Sequence, residues 1–303
     1  MIKTSKKRAN KRQRRNNIWG FLFAAPFIIG FCLFRIIPFF HSLYLSFTDY
    51  SILAKPNWVG LRNYIKMFTD DQIFWMAFGI TWKYSLVNVP SMLIISLLVA
   101  VLLSRKTKLT GMYRLAFYIP SLLGGSVAVA MTWKILWNSK GTVNQILQKM
   151  GLPTVEWLHN PRIAIYMLVL LSVWQFGSQM LIFLAGIKDV PVTLHEAAIM
   201  DGASPAKRFF FVTLPMITPT IFFNLVNGII GSLQSFNSAF LVTAGGPLNS
   251  TLFYGLHQYR NAFEYLKMGY ASAMAWFMMV VIVALTALVF RSQSAWVYYQ
   301  GEK

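Results

Sequence analysis

Acidic side chains are scarce: nine Asp and Glu stand against 28 Lys and Arg in 303 residues, and only 12% of the chain is charged. A soluble protein of this length would carry about a quarter charged residues. The nine are Asp49, Asp70, Asp71, Glu156, Asp189, Glu196, Asp201, Glu264 and Glu302, and none falls well inside an apolar run. Carriers driven by ions or protons keep an ionisable group at membrane depth, because that group binds the coupling ion. Their absence argues against an ion-coupled secondary carrier. Cysteine is nearly missing as well. Cys32 stands alone inside an apolar run, so it forms no intrachain disulfide and fills space there. No histidine and cysteine cluster has metal-ligand spacing, so no metal site is expected. There is no G-x-x-x-x-G-K-[ST] loop to cradle phosphates. His41, His159, His195 and His257 fall at or beyond the ends of apolar runs, and no Ser/His/Asp or Cys/His arrangement stands out. The sequence offers no catalytic residue and no cofactor site of its own. It does not read as an enzyme.

What the chain has is apolar length: 56% of it is hydrophobic and 16% aromatic. A bilayer core about 30 Å thick takes roughly 20 apolar residues per helical crossing. Backbone groups in lipid must be satisfied internally, so these runs should be helices. The runs predict six crossings, over about 18–40, 80–103, 113–137, 163–187, 217–242 and 271–290. The fold class is therefore all-α and integral to a membrane. Residues 1–17 form a basic tail and 18–303 the membrane domain, with a loop over 188–216. The first run is longer than a signal-peptide core and lacks a clean cleavage site, which makes it an uncleaved anchor. Lys and Arg crowd the tail (Lys3, Lys6, Lys7, Arg8, Lys11, Arg12, Arg14, Arg15), the second loop (Arg105, Lys106, Lys108), the fourth loop (Lys188, Lys207, Arg208) and the C-terminus (Arg291, Lys303). Retention of positive charge inside places both termini in the cytoplasm. A basic tail abutting a span contacts anionic lipid and sets topology; it is no sign of nucleic-acid binding.

The fourth loop is patterned beyond the needs of a turn. "PVTLHEAAIM" offers Thr193 as an N-cap with Glu196 three residues on, a capping-box spacing. "DGAS" should break that helix at Gly202, and Ser204-Pro205 should start the next one. Pro215 ends it before the fifth run. Two short helices under the membrane could dock a protein, or could rest in the headgroups.

Polar residues at helical spacing mark a possible solute path. In the fifth run Asn224, Asn227, Gly228, Gly231, Ser235 and Ser238 recur every three or four residues, bordered by Gln234 and Asn237. In the fourth, Leu171, Trp174, Gln175 and Ser178 share a face. Amides and hydroxyls beside an indole suit a sugar, whose hydroxyls need donors and acceptors and whose ring face packs on aromatics. Small residues equally mark helix contacts in membranes, so pure packing would give the same stripes. A membrane scaffold that transports nothing is the corresponding alternative.

Glu196-Ala197-Ala198, Gly202 and Leu214-Pro215 resemble the E-A-A-x3-G-x9-I-x-L-P signature of importer-type ABC transporter permeases, with Val212 where that family has isoleucine. "SLYLSFTDY", "WVGLRNY", "YIPSLLGG", "TWKILWNSKGTVN" and "TAGGP" are similar to the carbohydrate-uptake branch of maltose and glycerol-phosphate permeases. The resemblance covers nearly all of the chain except the tail. It implies a type I importer permease fold of six transmembrane helices in a bacterial cell membrane. It implies that Glu196, Ala197, Ala198, Asp201, Gly202, Leu214 and Pro215 belong to a coupling loop seated in a cytoplasmic ATPase. The implied partners are a second homologous permease, two ATPase copies and an extracellular solute-binding protein, with ATP and Mg used by the ATPase and a carbohydrate as substrate.

Overall fold

The computed structural model describes residues 19–105 and 109–298. The basic tail over 1–17 lies outside the described residues, as do Lys106, Lys108 and Lys303. Thirteen helices, with a short π-helical segment at Ala239–Thr243, order the described chain. They are α1 Trp19–Ser46, α2 Arg62–Thr69, α3 Gln72–Ser104, α4 Thr110–Leu123, α5 Val127–Leu136, α6 Thr142–Lys149 and α7 Ala164–Trp174, then α8 Gly177–Asp189, α9 Val192–Met200, α10 Pro205–Met216, α11 Thr218–Leu233, α12 Tyr254–Tyr259 and α13 Met268–Trp296. Among the described residues extended structure is limited to two isolated β-bridges, Thr48 with Trp58 and Ser51 with Ala54.

The helices meet the lengths expected from the runs, with informative differences. By length and composition α1, α3 and α13 can each cross a membrane. The other three runs are bent pairs: α4 with α5 at 102°, α7 with α8 at 49°, and α10 with α11 at 64°. The sequence expectation was one continuous crossing over 113–137 and another over 163–187; each is two half-length helices meeting at a break. The fifth run also stops early, because α11 ends at Leu233 and helix resumes only at Asn237. Helix α3 starts eight residues before the expected span, since the Asp71 side chain accepts the Phe74 N–H at 3.0 Å and caps it there. Cys32, expected to fill space, is exposed within a π-helical turn of α1, Cys32–Ile36.

Contacts divide the chain into two compact units, residues 1–66 with 261–276 and residues 67–260 with 277–303. In the first, α1 leads into a loop held by side-chain and backbone hydrogen bonds. Asn63 is buried and its amide donates to the carbonyls of Ser46 and Thr48, both at 2.8 Å. Tyr64 donates to Ser46 Oγ at 2.9 Å, and the Gly269 N–H donates to Tyr50 O at 2.9 Å. The Trp276 indole reaches Ser42 Oγ at 3.1 Å.

The second unit is built around α3, which packs against α7, α8, α11 and α12. Membrane helices gain little from hydrophobic exclusion, so close approach and shared polar groups hold them. Ser232 of α11 donates to Ser85 of α3 at 2.9 Å, and Thr81 accepts the Tyr254 N–H at 2.8 Å. Gly186 of α8 lies directly against Thr220 of α11. One apolar cluster gathers Tyr84, Trp133, Leu168, Phe253 and Leu256; a second gathers Ala100, Leu103, Met180, Phe183 and Leu184. The loop after α5 is tied by one buried amide. Asn144 donates to Ser139 O and Val155 O, both at 2.9 Å, and accepts from the Val155 N–H at 3.1 Å and the Trp157 indole at 3.0 Å.

Candidate functional site: a cavity at three helix breaks

The breaks are local consequences of sequence. Between α4 and α5 stand Gly124, Gly125 and Ser126. Gly125 sits at φ +76°, a conformation that costs glycine nothing, and Ser126 Oγ accepts the Val129 N–H at 3.3 Å to start α5. Between α7 and α8 the chain tightens: the Gln175 N–H donates to Ser172 O at 3.0 Å and the Phe176 N–H to Val173 O at 3.1 Å. Gly177 then restarts the helix. Its α-carbon lies so near Phe117 O and Tyr118 Cα that any side chain would collide with backbone. After α11 the Gln234 N–H closes on Ile230 O at 3.1 Å, and Ser235 and Phe236 leave the helix.

Tertiary packing brings the three breaks together. A β-carbon on Gly124 would strike the Gln175 amide, and one on Gly125 would lie 3.6 Å from Asn237 Nδ2. Around this meeting point lies a cavity of about 290 Å³. Its polar lining is Tyr84, Ser126, Ser172, Gln175, Gln234, Ser235, Asn237 and Ser238; Val129, Ala130, Leu171, Phe236 and Leu241 supply apolar walls. No lining side chain carries a charge. Broken helices expose unpaired backbone ends where they line a cavity, and the hydroxyls and amides here extend that set of donors and acceptors.

Of the residues marked from the sequence as a path or its border, Leu171, Gln175, Gln234, Ser235, Asn237 and Ser238 line this cavity. Trp174, Ser178, Asn224, Asn227, Gly228 and Gly231 do not. Trp174 is 39% exposed and stands 6.3 Å from the Trp133 ring. Ser178 donates to Ser121 Oγ at 3.2 Å, and Asn227 to its own helix at Phe223 O, 2.8 Å. Asn224 is buried, and Gly228 faces Val89 and Gln179. The reading from sequence missed Tyr84, Ser126 and Ser172. The doubled glycine of "LLGGS" and the polar run "QSFNS" inside apolar segments were signals for the breaks. Tyr84 gave none, because an aromatic within α3 looks like any core residue.

The loop over 188–216 forms a second feature. Helix α9 starts at Val192 with Pro191 as its N-cap, and Thr193 lies inside it. The expected capping box at Thr193 and Glu196 is absent; Pro191, whose φ suits a helix entrance, stands at the N-cap two residues earlier. At the other end the Ala203 N–H donates to Ala198 O and the Gly202 N–H to Ile199 O, both at 2.9 Å. With Gly202 at φ +72° this is a Schellman motif. Ser204 caps α10 by accepting the Lys207 N–H at 3.3 Å, with Pro205 at the first helical position. Leu214 and Pro215 close α10 before the 64° bend. Glu196, Ala197 and Asp201 are exposed and Ala198 is half-buried. Ile199 and Met200 are 53% and 87% exposed, so the loop presents apolar side chains beside polar ones.

Up to six crossings, a neutral cavity where spans break and an exposed helical loop are the features of a multi-pass membrane protein. Residues 73–297 match the family described as the inner membrane component of binding-protein-dependent transport systems, and the chain belongs to that family. It is an inner-membrane protein of a transport system and not an enzyme. It is 46% identical over 293 residues to a probable ABC transporter permease, YesP, of Bacillus subtilis, covering 96% of this chain and 95% of that one. It is 33% identical over 273 residues to the sulfoquinovosyl glycerol transport system permease SmoG of Agrobacterium fabrum, covering 89% and 88%. The fold is shared with a chain of a bacterial alginate ABC transporter solved with its alginate pentasaccharide-bound periplasmic protein: TM-score 0.83, 22% identity, 93% of this chain and 96% of that chain.

Proposed function

We propose that this chain is the permease subunit of an ATP-driven carbohydrate importer and forms half of its solute pathway. The observation that carries the reading is the uncharged, hydroxyl- and amide-rich cavity at the convergence of three helix breaks. Sugar hydroxyls need paired donors and acceptors in a fixed arrangement, and rigid half-helices supply them without a coupling ion. The relatives support the same class, since SmoG is named for a sulfosugar glycoside and the alginate transporter for a polysaccharide. Gln175, Ser235 and Asn237 are the residues proposed to meet substrate, with Leu171 as an apolar wall and Tyr84 and Ser126 added from the structure. Trp174, Ser178, Asn224, Asn227, Gly228 and Gly231 are proposed to act on the path indirectly, by holding the helices that border it.

The loop is proposed to couple the permease to its motor. Glu196, Ala197, Ala198, Asp201 and Gly202 form a short exposed helix with a fixed end, and Leu214-Pro215 joins it to α11 through a bend. A rigid element of this kind can carry a two-state movement from a partner into a bundle. The full assembly would hold a second homologous permease, two cytoplasmic ATPase copies that use ATP and Mg, and an extracellular solute-binding protein. Both termini of this chain would face the cytoplasm. No cofactor is assigned to the chain itself.

The test is reconstitution of the assembled transporter in proteoliposomes with labelled saccharides and the binding protein. Uptake of a saccharide that requires ATP, and stops when the partner's phosphate-binding lysine is replaced, is the expected result. Uptake driven by an ion gradient without ATP would overturn the proposal.

A further inference from the structure

A second cavity, of about 320 Å³, lies within the first compact unit, between the loop after α1, helix α2 and the start of α13. Its walls are fixed by the Asn63 and Gly269 hydrogen bonds already described and by Leu266, held at φ 57° with the Lys267 N–H donating to Asn261 O at 2.7 Å. Arg62, Lys66 and Lys267 line it, all three exposed, and none is in an ion pair among the described residues. Lys66 and Lys267 lean over tyrosine rings instead, 5.5 Å from the Tyr270 centroid and 5.6 Å from that of Tyr265. The single lining carboxylate, Asp49, is turned to Asn57, accepting its backbone N–H at 2.8 Å and its side-chain amide at 3.4 Å. Cations are therefore in excess around a preformed polar hollow. This site plays no part in the carbohydrate reading above.

Its position selects the anion. Helix α1 ends at Ser46 and α13 begins at Met268, and both are apolar enough to span a membrane. The cavity thus opens where those spans leave the hydrocarbon, at the ends away from both chain termini. Leu53, Trp58, Leu61 and Ile65, each within two residues of a lining residue in the chain, are each more than half exposed, as an interfacial belt would be. Exposed apolar residues at the ends of two membrane spans put the cations at the level of lipid headgroups. A phospholipid uses both parts, its phosphate among the cations and its acyl chains along the uncovered face of α1. We infer that this cavity binds the headgroup of an anionic phospholipid at the membrane surface.

The inference is tested on the assembled transporter in nanodiscs of phosphatidylcholine doped with photo-crosslinkable phosphatidylglycerol, with adducts mapped by peptide mass spectrometry. Adducts should fall within residues 49–66 and 261–270, about tenfold above those of a matched photo-crosslinkable phosphatidylcholine, a preference of about 1.4 kcal/mol. The triple variant Arg62→Gln, Lys66→Gln, Lys267→Gln should lose them, while an unchanged melting temperature of the assembled transporter reports a folded chain. The charge-keeping variant Lys66→Arg, Lys267→Arg should retain them. Equal labelling by both lipids, or unchanged labelling of the triple variant, would overturn the inference. Full competition by glycerol 3-phosphate at the lipid's concentration would overturn it in favour of a soluble phosphate. Weakened binding-protein docking by the triple variant in pure phosphatidylcholine, with lipid labelling unchanged, would overturn it in favour of a protein contact.

Discussion

The loop over 188–216 and the cavity at the helix breaks are made in opposite ways. The loop is contiguous, and each of its features is one residue's backbone preference: Pro191 at an entrance, Gly202 at positive φ, Ser204 at a cap. A β-carbon on Gly202 would meet nothing within 4 Å, so that position is chosen for conformation and not for room. Gly177 is the reverse. Its backbone is ordinary and its surroundings are full, because α8 presses on α4 there. One region depends on local dihedral angles, the other on closeness between segments far apart in the chain.

Substitutions can break or sharpen that contrast. The largest effect is expected from Gly177→Val, which drives a side chain into the α4 backbone; overpacking of this kind costs about 1–3 kcal/mol or more. Thermal stability of the purified complex should fall by several degrees. An unchanged melting temperature would show that α4 and α8 can separate freely. Gly202→Leu comes next, since a left-handed non-glycine residue costs about 1–2 kcal/mol, whereas Asn tolerates the conformation better. Uptake in proteoliposomes should be largely lost in Gly202→Leu, with membrane insertion intact, and mostly kept in Gly202→Asn. Equal transport by both would remove the conformational requirement.

Gln175→Ala should act on the solute and not on the fold. Loss of one hydrogen-bonding amide, worth about 1 kcal/mol, corresponds to a roughly fivefold change in half-saturating concentration or maximal uptake. If only the amount of protein falls, the amide is packing. The smallest effect belongs to Ser178→Ala. Its 3.2 Å bond to Ser121 links α8 to α4, and such bonds in membranes average about 0.6 kcal/mol, so uptake and melting should scarcely move.

The cavity was half legible. Helical spacing put Asn224, Asn227, Gly228, Gly231, Ser235 and Ser238 on one stripe, yet only Ser235 and Ser238 reach the cavity. The reason is phase. A stripe persists only while the helix does, and the break at Gln234–Phe236 resets the direction of every later side chain. Before the break, Gly228 faces Val89 of α3; after it, Asn237 and Ser238 turn inward. Gln175 was found because it stands at a break itself, and Tyr84 was missed because nothing local distinguishes it.

Composition and apolar length determined that this chain is helical and lies in a membrane, since an unbroken apolar run of about 20 residues can satisfy its backbone in lipid only as a helix. A gapped run of backbone-specific residues determined the loop. Only the tertiary structure decided where three helices interrupt one another and which hydroxyls and amides share the resulting space. Those choices rest on contacts between residues scores of positions apart, and no periodicity along the chain records them.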